Sequence, residues 1–168
     1  MKPPWDTYYL SQCFLLAQRS LDPNTKCGAM IVSEDGRVLS QGYNGPLKGI
    51  DDDVVPLERP TKYYHMIHAE ENAILSYNGS YQDIKGSTIY ITGSPCHKCL
   101  RMIIQKGIGT IVYPSDFPIT KCQDDADLKA AEFMVEQSGI RIRPVEVMNS
   151  IFKMFDKTKF YMSEKLNN

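Results

Sequence analysis

Two short segments of the chain carry side chains whose types and spacing suit metal chemistry. The first is His-Ala-Glu at positions 68–70, and the second is Pro-Cys-His-Lys-Cys at positions 95–99. Two cysteines separated by two residues can place both sulfurs on one metal ion within a helical turn, where the helix amino terminus favours thiolates. One histidine and two cysteines make three ligands, which leaves the fourth position of a tetrahedral zinc ion open to water. This set favours a hydrolytic zinc site.

The cysteine pair alone is ambiguous. Cys96 and Cys99 could be a redox pair or two buried thiols, and it is His68 that shifts the interpretation toward zinc. Glu70 follows His68 by two residues, so at the start of a helix both side chains can border one pocket. There Glu70 could carry protons while zinc lowers the pKa of bound water. His-x-Glu followed by Pro-Cys-x-x-Cys is the signature of zinc nucleobase deaminases.

Two other histidines lie near these segments. His97 lies inside the cysteine pair, but the two cysteines share a helical face that position 97 does not, so we interpret it as an exposed or ligand-supporting side chain. His65 has no convincing ligand set beside it, and we interpret it as structural.

Composition limits the partners that the protein can have. The chain has 168 residues and a formal net charge of -1, which argues against nucleic acid as its main partner. No apolar stretch approaches the roughly 20 residues that span a bilayer, and an odd count of five cysteines suits a reducing compartment. We therefore expect a cytoplasmic protein with no membrane partner.

The elements that must position these residues alternate between helices and strands. The pattern predicts a single domain over residues 1–168, with a core at about 5–147 and a C-terminal tail or helix at 148–168. An antiparallel hairpin precedes strands that alternate with helices, which predicts one mixed sheet of about five strands in a three-layer α/β/α sandwich. The predicted helices are 5–21, 68–77, 96–106 and 124–137, and the predicted strands are 28–33, 38–42, 88–92, 110–113 and 141–147.

Two segments have less regular patterns. Residues 45–60 contain glycine, prolines and an acidic run without a sustained period, so we interpret them as a surface loop. In the tail, Ile151, Phe155 and Met162 form an apolar helical stripe. That stripe could pack equally well on its own domain or on a neighbouring subunit.

The order of several segments resembles the deoxycytidylate (dCMP) deaminase family from Trp5 to about Tyr113. The segments that carry the resemblance are Trp-Asp-Thr-Tyr-Tyr-Leu at 5–10, Arg-Ser-Leu-Asp-Pro at 19–23, Gly-Ala-Met-Ile-Val at 28–32, Gly-Tyr-Asn-Gly at 42–45, His-Ala-Glu-Glu-Asn-Ala-Ile at 68–74 and the cysteine segment.

The resemblance has direct implications for activity. It implies a cytidine-deaminase-like fold, with one Zn2+ per subunit held by His68, Cys96 and Cys99 and with Glu70 as the proton shuttle. It also implies hydrolytic deamination of dCMP to dUMP, which would supply thymidylate synthesis. By the same resemblance Asn44 would bind the deoxyribose, although asparagine between tyrosine and glycine is also a favoured turn residue.

A nucleotide substrate needs a group that binds its phosphate. Arg19, Lys26 and Lys48 are the nearby candidates, and each could instead be a solvated surface charge. Tyr113 could lie beside the base or in the core. The full set of candidate substrate-binding residues is Asn44, Arg19, Lys26, Ala69, Pro95 and Tyr113.

Members of the resembled family are commonly oligomeric, and the resemblance favours a hexamer here. They are activated by dCTP, with which Mg2+ can bind, and they are inhibited by dTTP. The resemblance places candidate effector contacts at Gly42, Tyr43, Asn44, Gly45 and Lys48. The chain departs from the family in the loop that follows. There it reads Pro-Leu-Lys-Gly at 46–49, with a lysine in place of the family's forked arginine. Effector control is therefore a hypothesis.

Other functions share the zinc motif. The enzyme could also accept dCTP, or it could act on tRNA or single-stranded DNA, which would require a basic groove. A catalytically silent zinc-binding regulatory module is the alternative that is not an enzyme, and the intact Glu70 argues against it.

Overall fold

Short runs rich in isoleucine and valine form the strands, because branched side chains pack well on a pleated surface. The structure is a computed structural model that describes residues 2–117 and 124–166. Five strands form a main sheet and two form a small second sheet. The strands are β1 (Gly28–Val32), β2 (Val38–Tyr43), β3 (Gly45–Pro46), β4 (Met66–Ile67), β5 (Thr88–Ile91), β6 (Thr110–Pro114) and β7 (Arg141–Val145).

The main sheet has the order β2-β1-β5-β6-β7. β1 is antiparallel to β2 and β5, whereas β5, β6 and β7 are parallel. Parallel neighbours need crossover connections, which helices supply here. The helices are α1 (Trp5–Ala17), α2 (Ala69–Leu75), α3 (Tyr81–Ile84), α4 (His97–Gln105), α5 (Asp125–Ser138) and α6 (Met148–Leu166).

Helices cover both faces of the sheet. α1 and α6 pack on one face in a cluster that includes Met30, Tyr90 and Val112. α2, α4 and α5 pack on the opposite face in a cluster that includes Ile31 and Ile89. The three-layer α/β/α sandwich with a mixed five-stranded sheet is thus confirmed. Within the described residues, every helix is too short or too polar to cross a membrane.

The structure differs from the predicted elements mainly at their ends. Helix α1 ends at Ala17 instead of residue 21, because the amides of Gln18 and Arg19 bond to carbonyls three residues back and close a turn. The segment at 45–60, predicted as a loop, contains strand β3 and a short 3-10 helix at Asp52–Val54. The residues after 147 form α6, and its Ile151 is buried on the α1 side of the sheet.

Candidate active site

The predicted zinc ligands lie at the amino ends of two helices that contact each other. His68 is the N-cap of α2, and Cys96 is the N-cap of α4. Both residues have extended backbone, which is usual for an N-cap and lets each side chain face its helix end. The two helix ends therefore aim their partial positive charges at one place.

The three side chains converge with distances that suit zinc. The Nδ1 atom of His68 lies 3.6 Å from the sulfur of Cys96 and 3.3 Å from the sulfur of Cys99. All three potential ligand atoms lie within 4.8 Å of one another. Tetrahedral zinc with bonds of about 2.3 Å to sulfur and about 2.0–2.1 Å to nitrogen would separate such atoms by about 3.6 Å. The residues fit the ion.

The surroundings of Cys96 favour its thiolate. Its sulfur accepts a hydrogen bond from the backbone amide of Cys99 at 3.5 Å. A side-chain hydrogen bond with Cys99, opposed by burial and helped by contact with His68, lowers the pKa of Cys96 to about 3. Because only the thiolate binds a metal ion, this environment suits a metal ligand.

Glu70 lies in the first turn of α2, two residues after His68. Glu70 is only 3% exposed, whereas His68 is exposed. Ala69 is completely buried in the core against the sheet. The turn thus buries the side chain of Glu70 while it leaves His68 open to solvent.

Asn44 is held between two segments by both ends of its side-chain amide. Its Oδ1 accepts from the amide of Cys27 at 2.7 Å, and its Nδ2 donates to the carbonyl of Thr25 at 2.8 Å. A primary amide has a second hydrogen and a second lone pair available for a ligand. The turn interpretation and the substrate interpretation of Asn44 are therefore compatible.

The side chains of the two basic candidates in the first half of the chain make other contacts in the structure. Arg19 lines a cavity with Gln12 and Met30 on the α1 face of the sheet, opposite the face that carries α2 and α4. The ammonium of Lys26 turns back and donates to the carbonyl of Ser20 at 2.5 Å. Both assignments to the substrate therefore remain predictions.

The other candidates have simple locations. Pro95 directly precedes the N-cap of α4. Tyr113 lies in β6 and packs against the core cluster on the α2 face. His97 reaches toward α5, where its Nδ1 lies 3.1 Å from Oδ1 of Asp127. His97 is therefore outside the ligand cluster, as its position in the helix predicted.

The candidate effector segment is mostly engaged within the fold. A Cβ atom on Gly42 would overlap backbone atoms of α2, so this glycine allows β2 and α2 to pack closely. The carbonyl of Tyr43 accepts from Nδ2 of Asn72 at 2.8 Å, and Gly45 pairs with Ile67 in the small sheet. Lys48 is exposed in the following turn.

Sequence reasoning missed a buried ion pair beside the Asn44 segment. Nζ of Lys62 lies 2.6 Å from Oδ2 of Asp22, and the two side chains are 3% and 5% exposed. The residues are 40 positions apart, and no spacing rule joins Asp22 of the 19–23 segment to Lys62. Their pairing becomes visible only when the tertiary structure is known.

Comparisons with known proteins agree with this site. The family model described as "Cytidine and deoxycytidylate deaminase zinc-binding region" matches residues 3–115, a span that includes both metal-binding segments. Human deoxycytidylate deaminase is 36% identical, over 96% of this chain and 92% of that protein. A probable deoxycytidylate deaminase of Drosophila melanogaster is 35% identical, over 83% of this chain and 71% of that protein.

A solved structure extends the similarity to three dimensions. The dCMP deaminase from the cyanophage S-TIM5, in complex with dCMP and dUMP, has a TM-score of 0.68 and 28% sequence identity. The match covers 86% of this chain and 99% of that chain. Family model, full-length relatives and fold all agree, and the chain belongs to the cytidine and deoxycytidylate deaminase family.

Proposed function

We propose that this protein catalyses the zinc-dependent hydrolytic deamination of dCMP to dUMP and ammonia, and so supplies dUMP for thymidylate synthesis. The observation that carries the proposal is the convergence of His68, Cys96 and Cys99 at two helix amino ends. The substrate is supported by full-length relatives that are named deoxycytidylate deaminases and by a similar structure that contains dCMP and dUMP.

His68, Cys96 and Cys99 would hold one zinc ion through Nδ1 and two thiolate sulfurs. When bound, zinc supplies Lewis-acid activation of water at neutral pH. Three protein ligands leave room for that chemistry, and the exposed side of His68 gives access from solvent.

Glu70 would move the protons that the reaction requires. Its carboxylate accepts a proton from the attacking water and passes it to N3 of the pyrimidine. It then takes the proton of the new C4 hydroxyl and transfers it to the amino group as the C4–N bond breaks, so that ammonia leaves and a C4 carbonyl remains. Burial of Glu70 in the first turn of α2 keeps competing bulk water away from this carboxyl group.

Asn44 would hydrogen-bond the deoxyribose through the N–H and the lone pair that Thr25 and Cys27 leave unused. Lys48 remains a candidate for the phosphate or for an effector, because it is exposed in the turn after Asn44. Lysine would act there as a flexible point charge.

Regulation and assembly form a separate part of the proposal. We propose activation by dCTP with Mg2+, inhibition by dTTP, and a homo-oligomer that is most simply a hexamer. Effector titration of dCMP turnover and light scattering test these two points.

A substrate panel with metal analysis on the same sample tests the proposed activity. The panel contains dCMP, dCTP, cytidine and a single-stranded oligonucleotide, assayed before zinc removal, after it, and after zinc is restored. We expect dCMP to be preferred and turnover to follow zinc content. Preference for the oligonucleotide would support a polynucleotide deaminase, and zinc-loaded protein without any turnover would support a silent module.

A further inference from the structure

The ion pair between Asp22 and Lys62 is unusual because it is almost entirely removed from solvent. Their charged atoms lie 2.6 Å apart, and each side chain is at most 5% exposed. Burial raises the pKa of Asp22, but hydrogen bonds from Lys62 and from two backbone amides outweigh burial and leave the pKa lowered. The carboxyl group of Asp22 is therefore ionised in the folded protein at neutral pH.

A buried ion pair is a poor way to gain stability. Removing two charges from water opposes most of the attraction between them, and apolar replacements of similar volume are often as stable or more stable. Breaking the pair by removing one partner is harmful, because it leaves a buried charge without compensation. The pair is better explained by the orientation that it gives to the segments it joins than by a contribution to the free energy of folding.

On the Asp22 side, the pair orients the segment that holds Asn44. The second carboxylate oxygen of Asp22 accepts from the amides of Asn24 at 2.9 Å and Thr25 at 3.1 Å. The carbonyl of Thr25 in turn accepts from Nδ2 of Asn44. One carboxylate thus fixes the turn to which the proposed deoxyribose-binding amide is attached.

On the Lys62 side, the pair orients the strand that leads into His68. The carbonyl of Lys62 accepts from the amide of His65 at 3.1 Å, and the carbonyl of His65 accepts from the amide of Leu47 at 3.1 Å. Pairing of Gly45 with Ile67 then joins this strand to Asn44. The contacts close a ring that contains Asp22, Thr25, Asn44, His65 and Lys62.

We propose that Asp22 and Lys62 are positioning residues that hold the sugar-binding side of the active site against the zinc-binding side. This inference rests on the proposed function, because it assigns Asn44 to the sugar of dCMP. The pair sets the affinity for substrate through the placement of Asn44, and it leaves zinc binding and proton transfer largely unchanged. Small displacements of binding groups are enough to weaken an enzyme strongly.

The decisive variant removes both charges and keeps the shape. Asp22→Asn retains an oxygen that can accept from Asn24 and Thr25, and Lys62→Met retains most of the apolar stem. The double variant has no uncompensated charge at the Asp22–Lys62 position, so we expect it to unfold at a urea concentration close to wild type. The single variant Asp22→Asn leaves a buried ammonium and should unfold at a clearly lower concentration.

Kinetics separate positioning from stability. We expect the double variant to contain stoichiometric zinc, to keep kcat for dCMP within about twofold, and to raise KM about tenfold. The matched control is Asp35→Asn with Arg37→Met, which removes an ion pair of the same charges whose side chains are 61% and 68% exposed. That control should change neither constant.

Hydrogen exchange measures the same displacement without substrate. Peptides that cover residues 22–28 and 43–48 should exchange about tenfold faster in the double variant, while peptides from β5 should not change. A wild-type KM together with wild-type exchange would overturn the inference, and so would a double variant as unstable as Asp22→Asn. Wild-type protein that fails to deaminate dCMP would instead refute the proposed function, and exchange would still decide the positioning role.

Discussion

Replacement of Glu70 by glutamine separates proton transfer from zinc binding and from folding. Glutamine matches the volume of glutamate, so it creates no cavity at a position that is 3% exposed. The change removes the group that can accept and return a proton. His68, Cys96 and Cys99 are untouched, so we expect the variant to fold and to bind zinc stoichiometrically.

The expected loss follows from the number of proton transfers assigned to this carboxyl group. General acid–base catalysis by one side chain typically contributes about 10²–10⁴-fold. Because Glu70 is proposed to act both before and after the C4–N bond breaks, we expect the upper part of that range. A loss of about 10³–10⁴-fold in kcat corresponds to about 4–5.5 kcal/mol of transition-state stabilisation. KM for dCMP should stay within about threefold.

Glu71→Gln is the matched control. Glu71 lies in the same first turn of α2 and loses the same charge, but its side chain is only partly buried. It tests the loss of a favourable helix-dipole interaction, which is worth about 0.3–1 kcal/mol. We therefore expect near-normal kcat and a small decrease in stability.

The assay is steady-state ammonia release from dCMP, with zinc content and urea unfolding measured on the same preparations. The role of Glu70 would be refuted by a zinc-loaded Glu70→Gln variant with kcat within tenfold of wild type. Loss of zinc from that variant would also contradict the reasoning, because it would make Glu70 part of the metal site.

Three further changes test other parts of the structure. Cys99→Ser should lose zinc, deamination and stability together, whereas Cys13→Ser in the buried core on the α1 face should keep zinc in atomic absorption measurements. Asp116 accepts hydrogen bonds from the amides that begin α6, so Asp116→Ala should lower the free energy of unfolding by about 1 kcal/mol in urea titrations. Hydrogen bonding to Arg143, opposed by burial, lowers the pKa of Asp6. The contribution of Asp6 to stability is therefore present above its unfolded pKa of about 3.9, and it is lost as the pH falls through its folded pKa. Asp6→Asn should therefore be less stable than wild type near neutrality and lose less stability on acidification, and parallel pH curves for both proteins would contradict this assignment.

The sequence predicted those parts of the fold that are marked by a turn signal or by alternating strands and helices. The Asp-Gly turn between β1 and β2 and the strand–helix alternation after residue 88 predicted both the antiparallel and the parallel parts of the sheet. The small strands β3 and β4 were not predicted, because two-residue strands have no readable period. Their pairing depends on the contact between distant segments.

The candidate site was likewise predicted only in part from the sequence. Spacing within one turn predicted that Cys96 and Cys99 would meet, and the structure brings His68 to them. Lysine and arginine carry no such spacing rule, so Arg19 and Lys26 were assigned to the substrate from nearness in the sequence. The helix end after Ala17 directs Arg19 to the opposite face of the sheet, and Ser20 binds the ammonium of Lys26.

The two halves of the site depend on different kinds of contact. The zinc-binding half is built from residues at helix amino ends, where backbone geometry alone fixes their direction. The proposed sugar-binding half has no helix to define it, so Asn44 depends on bonds to Thr25 and Cys27 and, through Asp22, on a lysine 40 residues away. Substitutions in the connecting segments can therefore change substrate affinity while the chemistry at zinc stays the same. This separation predicts that selectivity among nucleotides changes more readily than the reaction itself.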